Sequence, residues 1–132
     1  LARSRSGVFI EVDLRNSTAG VNALEQSMFT LMRVLKQGVE QMLREAGFTV
    51  LLAKPLGDAW VFSLDENEQA NHTPNELLWA VADLFQRKQQ DIEALVAYAQ
   101  RLLLRSLGEE YSPDLASGVH IRVFRASRFF FV

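Results

Sequence analysis

The fold of this chain is decided near its start by the stretch Val8-Phe9-Ile10-Glu11-Val12-Asp13-Leu14-Arg15-Asn16-Ser17-Thr18. Residues 8–12 are apolar except for Glu11, and the β-branched side chains among them favour a strand. We expect this strand to be buried and to carry the carboxylate of Asp13 onto a small polar loop. Residues 14–18 then supply successive backbone N–H groups and two hydroxyls close to a helix start, an arrangement that suits phosphate.

Two amphipathic helices are predicted further along the chain. A capping box at Asn22 begins the first, and apolar residues at three- and four-residue spacing continue it to Gly47, a C-terminal stop. The run Thr73-Pro74-Asn75-Glu76 starts the second, with a capping Thr and Pro at the first helical position. Because neither Pro nor Gly interrupts this helix before Gly108, its length suggests a break near residues 87–90.

Apolar runs predict the remaining strands. Residues 48–53 and 59–64 flank a turn rich in Pro and Gly, which indicates an antiparallel hairpin. Residues 119–124 alternate between apolar and polar side chains, and residues 129–132 would begin another strand. The order β-α-β-β-α-β is that of a ferredoxin-like unit. The predicted fold class is therefore α+β, an antiparallel sheet with two long helices on one face.

Length, composition and charge narrow the classes of protein to consider. The 132 residues are enough for one domain, and we expect residues 1–7 to be a frayed lead-in and residues 8–132 a single domain that is incomplete at its C-terminus. The absence of Cys excludes a disulfide framework, a zinc ribbon and a thiol nucleophile. A net charge of −2 gives no electrostatic reason to expect nucleic-acid binding. Neither a signal peptide nor a membrane span is visible, so we expect a cytoplasmic domain, and a fused sensory or regulatory domain stays open.

Asp13 and Asp58 are the acids that stand out as candidate site residues. Each, taken alone, is more often a surface residue at a strand end or in a turn. In a β-α-β-β unit, however, the first strand lies beside the hairpin, so both carboxylates reach one edge of the sheet. Two carboxylates that meet there repel each other unless a cation lies between them. Their oxygens suit Mg²⁺ or Mn²⁺, which retain waters and substrate phosphates as further ligands.

These two stretches resemble the signatures of class III nucleotidyl cyclases. In that family an aromatic and apolar strand ends in Asp, an aliphatic residue, any residue, Gly, then Ser or Phe, and Thr. Residues 54–62 resemble the family's hairpin, where Lys, two residues, Gly-Asp and a small residue precede an apolar strand. The resemblance runs from Phe9 to Phe62. Asn16 stands where the family usually has Gly, and Pro55 stands where it often has Thr.

The resemblance implies an adenylate-cyclase-like domain, which would convert ATP to 3′,5′-cyclic AMP and pyrophosphate at the interface of a homodimer. Asp13 and Asp58 would be the catalytic residues, holding two Mg²⁺ or Mn²⁺ ions with help from the carbonyl of Leu14. Lys54 would read the base, because it stands where adenylate-specific members of the family place a base-reading Lys. GTP stays open as the alternative substrate. The phosphates would be bound by Arg15, Asn16, Ser17 and Thr18.

Two alternatives stay open because the second half of the chain departs from the family. Ile121 and Arg122 replace its usual small residues, and neither Arg125 nor Arg128 lies in a motif that matches its transition-state Asn and Arg. The first alternative is a catalytically inactive cyclase-homology module that binds nucleotide or a partner and regulates an attached domain. The second is a ferredoxin-like interaction domain, in which both acids are only turn residues.

Three further side chains have ordinary structural interpretations. His72 lies in a polar loop, where we expect solvent, and His120 is expected to be a surface or hydrogen-bonded residue rather than a ligand. Trp60 follows Asp58 closely enough to stack on a base, but a Trp in an apolar strand is more often a core residue.

Overall fold

A computed structural model describes residues 2–14, 25–57, 59–106 and 119–131, and the side chains of residues 6–13, 31–57, 59–99 and 119–126. The elements follow one another as β1 (Ala2–Leu14), α1 (Glu25–Glu45), β2 (Leu52–Leu56), β3 (Ala59–Asp65), α2 (Pro74–Ser106) and β4 (Val119–Phe131). Over these residues the strands form one antiparallel sheet in the order β2-β3-β1-β4. The predicted α+β fold with the order β-α-β-β-α-β is confirmed.

Both helices pack on the same face of the sheet. Val8, Ile10 and Val12 of β1 are fully buried in a core that also contains the apolar stripes of α1 and α2. Because side chains alternate along a strand, the residues between them lie on the other face, which we call the distal face. By the same alternation and the strand register, the distal face comprises Phe9, Glu11, Asp13, Leu52, Lys54, Leu56, Ala59, Val61, Ser63, His120, Arg122 and Phe124.

The helix boundaries follow the predicted signals, with one difference. At the end of α1, Gly47 has a φ of 88°, and the N–H of Phe48 donates to the carbonyl of Leu43 at 2.9 Å, which is the Schellman arrangement. The helix α2 begins at Pro74, after Thr73, as expected. It is continuous through residues 87–90, where a break was expected, because the buried stripe continues on both sides of that point. The predicted cap at residue 22 lies outside the described residues.

The strands are longer or displaced relative to the sequence prediction. Residues 2–7, expected to be a frayed lead-in, belong to β1, and β4 is a single strand as far as Phe131. The two strands support each other, since their antiparallel register runs from Ala2 opposite Phe131 to Leu14 opposite Val119. The strand expected at residues 48–53 is instead β2, Leu52–Leu56. It accommodates Pro55 because it is at the edge of the sheet.

An ion pair connects β4 to the segment that follows β3. The Nε and Nη2 atoms of Arg125 donate to the two carboxylate oxygens of Glu66, each at 2.9 Å. The side chain of Glu66 is 9% exposed and that of Arg125 is 47% exposed. The hydrogen bond and the negative charge of Glu66 raise the pKa of Arg125 above its ordinary value. This bidentate geometry is the strong form of an Arg–carboxylate pair. We therefore expect Arg125 to have a structural role, in which it joins β4 to the segment after β3.

Replacing Glu66 by Gln is expected to lower the melting temperature, because a neutral amide cannot accept both guanidinium hydrogen bonds in the same way. Asp83→Asn is a suitable control, since Asp83 pairs with Arg87 at 3.1 Å while both side chains are 64% exposed, and such surface pairs contribute little. Thermal unfolding followed by circular dichroism would compare the two. Equal melting temperatures for the two variants would contradict the role given to the Arg125 pair.

Gly7→Ala is expected to destabilise the protein by about 1–3 kcal/mol, the usual range for overpacking. A Cβ atom at position 7 would lie 2.5 Å from the carbonyl oxygen of Leu64, and a backbone atom of a paired strand cannot move aside cheaply. Gly57→Asn serves as the control, since nothing lies within 4 Å of that site and Asn tolerates its φ of 62°. Chemical denaturation would measure both, and an unchanged midpoint for Gly7→Ala would refute the packing argument.

Candidate functional site

Asp13 lies near the end of β1, on the distal face of the sheet. Its register partners are Ala59 of β3 on one side and His120 of β4 on the other. The residue is half-buried, and its Oδ1 atom is buried. One position further, Leu14 opposite Val119 is the last pair of the ladder between β1 and β4. Asp13 therefore lies at one end of the sheet, on β1, which is one of the two central strands and is next to the edge strand β4.

The hairpin between β2 and β3 turns at this same end. Leu56 pairs with Ala59, so the connection has two residues, and Gly57 has the positive φ of 62° that such short turns require. Ala59 is also the register partner of Asp13. Asp58 itself lies outside the described residues, but it precedes Ala59 in the chain, and consecutive Cα atoms are about 3.8 Å apart.

The other predicted site residues fall into two groups. Lys54 is exposed on the distal face of β2, two strands from β1, which corresponds to roughly 10 Å across the sheet. Its register partner Val61 pairs in turn with Glu11, so Lys54 lies one row from Asp13. Leu14 is described only by its backbone, as the last residue of β1. The predicted phosphate-binding residues, Arg15, Asn16, Ser17 and Thr18, lie outside the described residues.

The row next to Asp13 on the distal face carries a charged pair. Arg122 approaches Glu11 with its Nη2 atom 3.6 Å from Oε2, and its guanidinium carbon lies 4.5 Å from the ring centre of Phe124. Phe124 in turn stacks on Phe9, with 5.6 Å between ring centroids. The distal face thus changes from aromatic in its middle to polar at the end where Asp13 lies.

Trp60 and His72 lie away from this end of the distal face. Trp60 points to the helices, and its Nε1–H donates to the backbone carbonyl of Met32 at 2.8 Å. Stacking of Trp60 on a bound base is therefore excluded by its hydrogen bond and position, and it is a packing residue. His72, expected in solvent, is half-buried and stacks on Phe48 with 4.8 Å between ring centroids.

His120 is exposed, as expected of a surface residue. Its register position opposite Asp13 depends on the pairing of β4 with β1, and no motif in the sequence specifies that pairing. The alternation of residues 119–123 does indicate that His120 points away from the core. The face of the sheet on which His120 lies was therefore predictable from this alternation.

The donor chemistry at this end of the sheet fits a hard divalent cation. The carboxylate of Asp13 and the backbone carbonyl of Leu14 supply oxygen atoms, the ligands that Mg²⁺ and Mn²⁺ prefer, and water and phosphate complete such shells. Within the part of the chain that the structure describes, which omits Asp58, no group of three His, Cys, Asp or Glu side chains forms a metal site. A cation at Asp13 would therefore need ligands beyond a preformed cluster of these side chains, for which Asp58, substrate and water are candidates.

Neither a protein-family model nor a curated protein matches this sequence. Among solved structures, the guanylyl cyclase Cya2 matches with a TM-score of 0.61 at 11% identity, over 97% of this chain and 57% of that protein. The adenylyl cyclase CyaB from P. aeruginosa matches with a TM-score of 0.57 at 14% identity, over 98% of this chain and 59% of its own.

A third match is the guanylyl cyclase domain of the RhoGC fusion protein from the aquatic fungus Blastocladiella emersonii, with a TM-score of 0.52 at 14% identity, over 97% and 60% of the two chains. This chain therefore spans less than two thirds of the length of each structure. At such identities the similarity establishes the fold, and it confirms the resemblance to cyclase catalytic domains at that level. Neither helix, as far as it is described, is long and apolar enough to cross a membrane.

Proposed function

We propose that this chain is an adenylate-cyclase-like domain, which converts ATP to 3′,5′-cyclic AMP and pyrophosphate in a metal-dependent reaction. One observation carries this proposal: the register of β1 with β3 places Asp13 opposite Ala59, the residue that follows Asp58. Asp13 thereby lies beside the chain neighbour of Asp58, in a fold shared with solved adenylyl and guanylyl cyclases, which supports a joint role for the two acids.

The chain's own residues would bind and position the nucleotide. The carboxylates of Asp13 and Asp58 and the carbonyl of Leu14 would hold two Mg²⁺ or Mn²⁺ ions. When bound, such ions supply the positive charge that lowers the pKa of the ribose 3′-hydroxyl and neutralises the triphosphate. Residues 15–18 would hold the phosphates through backbone N–H groups and the hydroxyls of Ser17 and Thr18.

The reaction requires the protein to position the substrate, and it requires no covalent bond between substrate and protein. The 3′-hydroxyl attacks the α-phosphorus in line, the bond to the β-phosphate oxygen breaks, and pyrophosphate leaves. Positioning the hydroxyl and neutralising the charge on the phosphates would therefore account for most of the rate enhancement. A strand end hydrogen-bonded on both sides, such as that of β1 at Asp13, is a rigid support for this purpose.

Base recognition would involve Lys54 and a second copy of the chain. Lys54 is exposed on the distal face between Leu52 and Leu56, which are 46% and 62% exposed. A cation flanked by exposed apolar side chains suits an interface that closes over a purine. In the proposed homodimer, Lys54 of one subunit would face the metal-binding acids of the other.

The inactive cyclase-homology module is the second candidate, and Arg122 favours it. Arg122 stands where the family has a small residue, and its side chain lies on the distal face against Glu11 and Phe124. A long side chain next to the row of Asp13 would obstruct a substrate that needs this space. Such a module would still bind nucleotide and metal but would release no product.

Asp13→Asn is expected to reduce formation of cyclic AMP by about 100-fold or more, the usual effect of removing a group that stabilises charge in a transition state. Chromatography of reactions with Mn²⁺ and ATP at high protein concentration would measure the product, and Asp83→Asn on the outside of α2 is the control. Saturable, metal-dependent ATP binding without product in the unmodified protein would instead support the inactive module. The absence of metal-dependent nucleotide binding would leave the ferredoxin-like interaction domain.

Lys54→Ala is expected to reduce the preference for ATP over GTP by roughly tenfold, the equivalent of one hydrogen bond to a charged group. The ratio of the two nucleotide dissociation constants, measured by competition with a fluorescent analogue, tests this. Lys88→Ala on α2 provides a matched control, because it removes the same charge on the helical side. An unchanged ratio for Lys54→Ala would show that Lys54 is an ordinary surface lysine.

A further inference from the structure

Asp13 has a neighbour on β4 that the proposed function does not use. His120 is its register partner in the ladder between β1 and β4. Val119 is fully buried, and Ile121 packs against the core, so the alternation of the strand places His120 on the distal face with Asp13. Side chains that lie directly opposite each other in antiparallel strands have Cβ atoms about 4.5–5.5 Å apart.

Asp13 and His120 differ in their surroundings. On its other side Asp13 faces Ala59, a small and buried residue. His120 is exposed, so its ring is not held by the core. A cation at this position would take a carboxylate oxygen from β1 and an imidazole nitrogen from β4, one ligand from each of two paired strands.

The neighbouring row on the distal face differs in its chemistry from the row of Asp13. Glu11 and Arg122 also pair across β1 and β4, but a guanidinium carries only donors and cannot ligate a metal. In the Asp13 row both partners carry atoms with lone pairs that metals accept. The row of Glu11 and Arg122 is therefore an ion pair, whereas the row of Asp13 and His120 offers two potential metal ligands.

We propose that His120 is a nitrogen ligand of the divalent cation at Asp13, which rests on the proposed role of Asp13 in metal binding. Carboxylate and water suit Mg²⁺, whereas imidazole suits transition metals. A mixed nitrogen and oxygen donor set makes the site selective for Mn²⁺ or Co²⁺ over Mg²⁺. The protein would then discriminate between metals by a residue on β4, outside the two motifs that carry the acids.

The test is metal binding by the complete chain, measured independently of any product. Electron paramagnetic resonance would follow Mn²⁺ binding, and competition with Mg²⁺ would give the selectivity. His120→Gln is expected to weaken Mn²⁺ binding by roughly tenfold, in the range seen when metal-site partners are removed, and to change Mg²⁺ binding little. His72→Gln, a histidine stacked on Phe48, is the matched control and should bind Mn²⁺ as the unmodified protein does.

The outcomes separate this inference from the proposed function. If Asp13→Asn loses Mn²⁺ while His120→Gln retains full affinity, the ligand assignment is overturned and the role of Asp13 stands. If the unmodified protein binds no Mn²⁺, or Asp13→Asn binds it normally, both fail. Should His120→Gln not fold, electron spin echo modulation of Mn²⁺ in the unmodified protein decides. A nitrogen coupling from a bound imidazole supports the assignment, and its absence overturns it.

Discussion

The pairing of β1 on both of its edges is the constraint on which the rest of the structure depends. Its register with β3 and β4 determines which residues lie beside one another at each end of the sheet. A shift of one residue would turn Asp13 towards the helices and Val12 towards the distal face. The burial of Val8, Ile10 and Val12 opposes that shift, because it would bring these apolar side chains into water.

The two faces of the sheet differ in composition and in role. The helical face is apolar and supplies the core, with Trp60 joined to α1 by its hydrogen bond to Met32. The distal face carries Glu11, Asp13, Lys54, His120 and Arg122, and its polar end coincides with the turn between β2 and β3. Away from the candidate site, where Arg125 lies opposite Val8, the pair between Glu66 and Arg125 ties β4 to the segment after β3. The strands that carry the candidate site are thus also held together by an ion pair further along β4.

Much of this architecture was predictable from local patterns, and the reasons for success and failure are physical. Helix starts and stops such as Pro74 and Gly47 are local chemistry, so they were predicted correctly. The extension of β1 to Ala2 was not, because residues 3–6 are polar and pairing with β4 is what makes this part of the chain a strand. Motifs singled out Asp13, but the proximity of His120 depends on long-range register, which a single sequence does not specify.

Both proposals require that the end of β1 at Asp13 hold a divalent cation together with a nucleotide. A crystal structure of the chain with Mn²⁺ and an ATP analogue that cannot cyclise, such as one lacking the 3′-hydroxyl, recorded at a wavelength where manganese scatters anomalously, tests this. Cation binding at Asp13 predicts an anomalous peak within coordination distance, about 2.2 Å, of its carboxylate. Bound nucleotide with no peak at Asp13 would contradict this role.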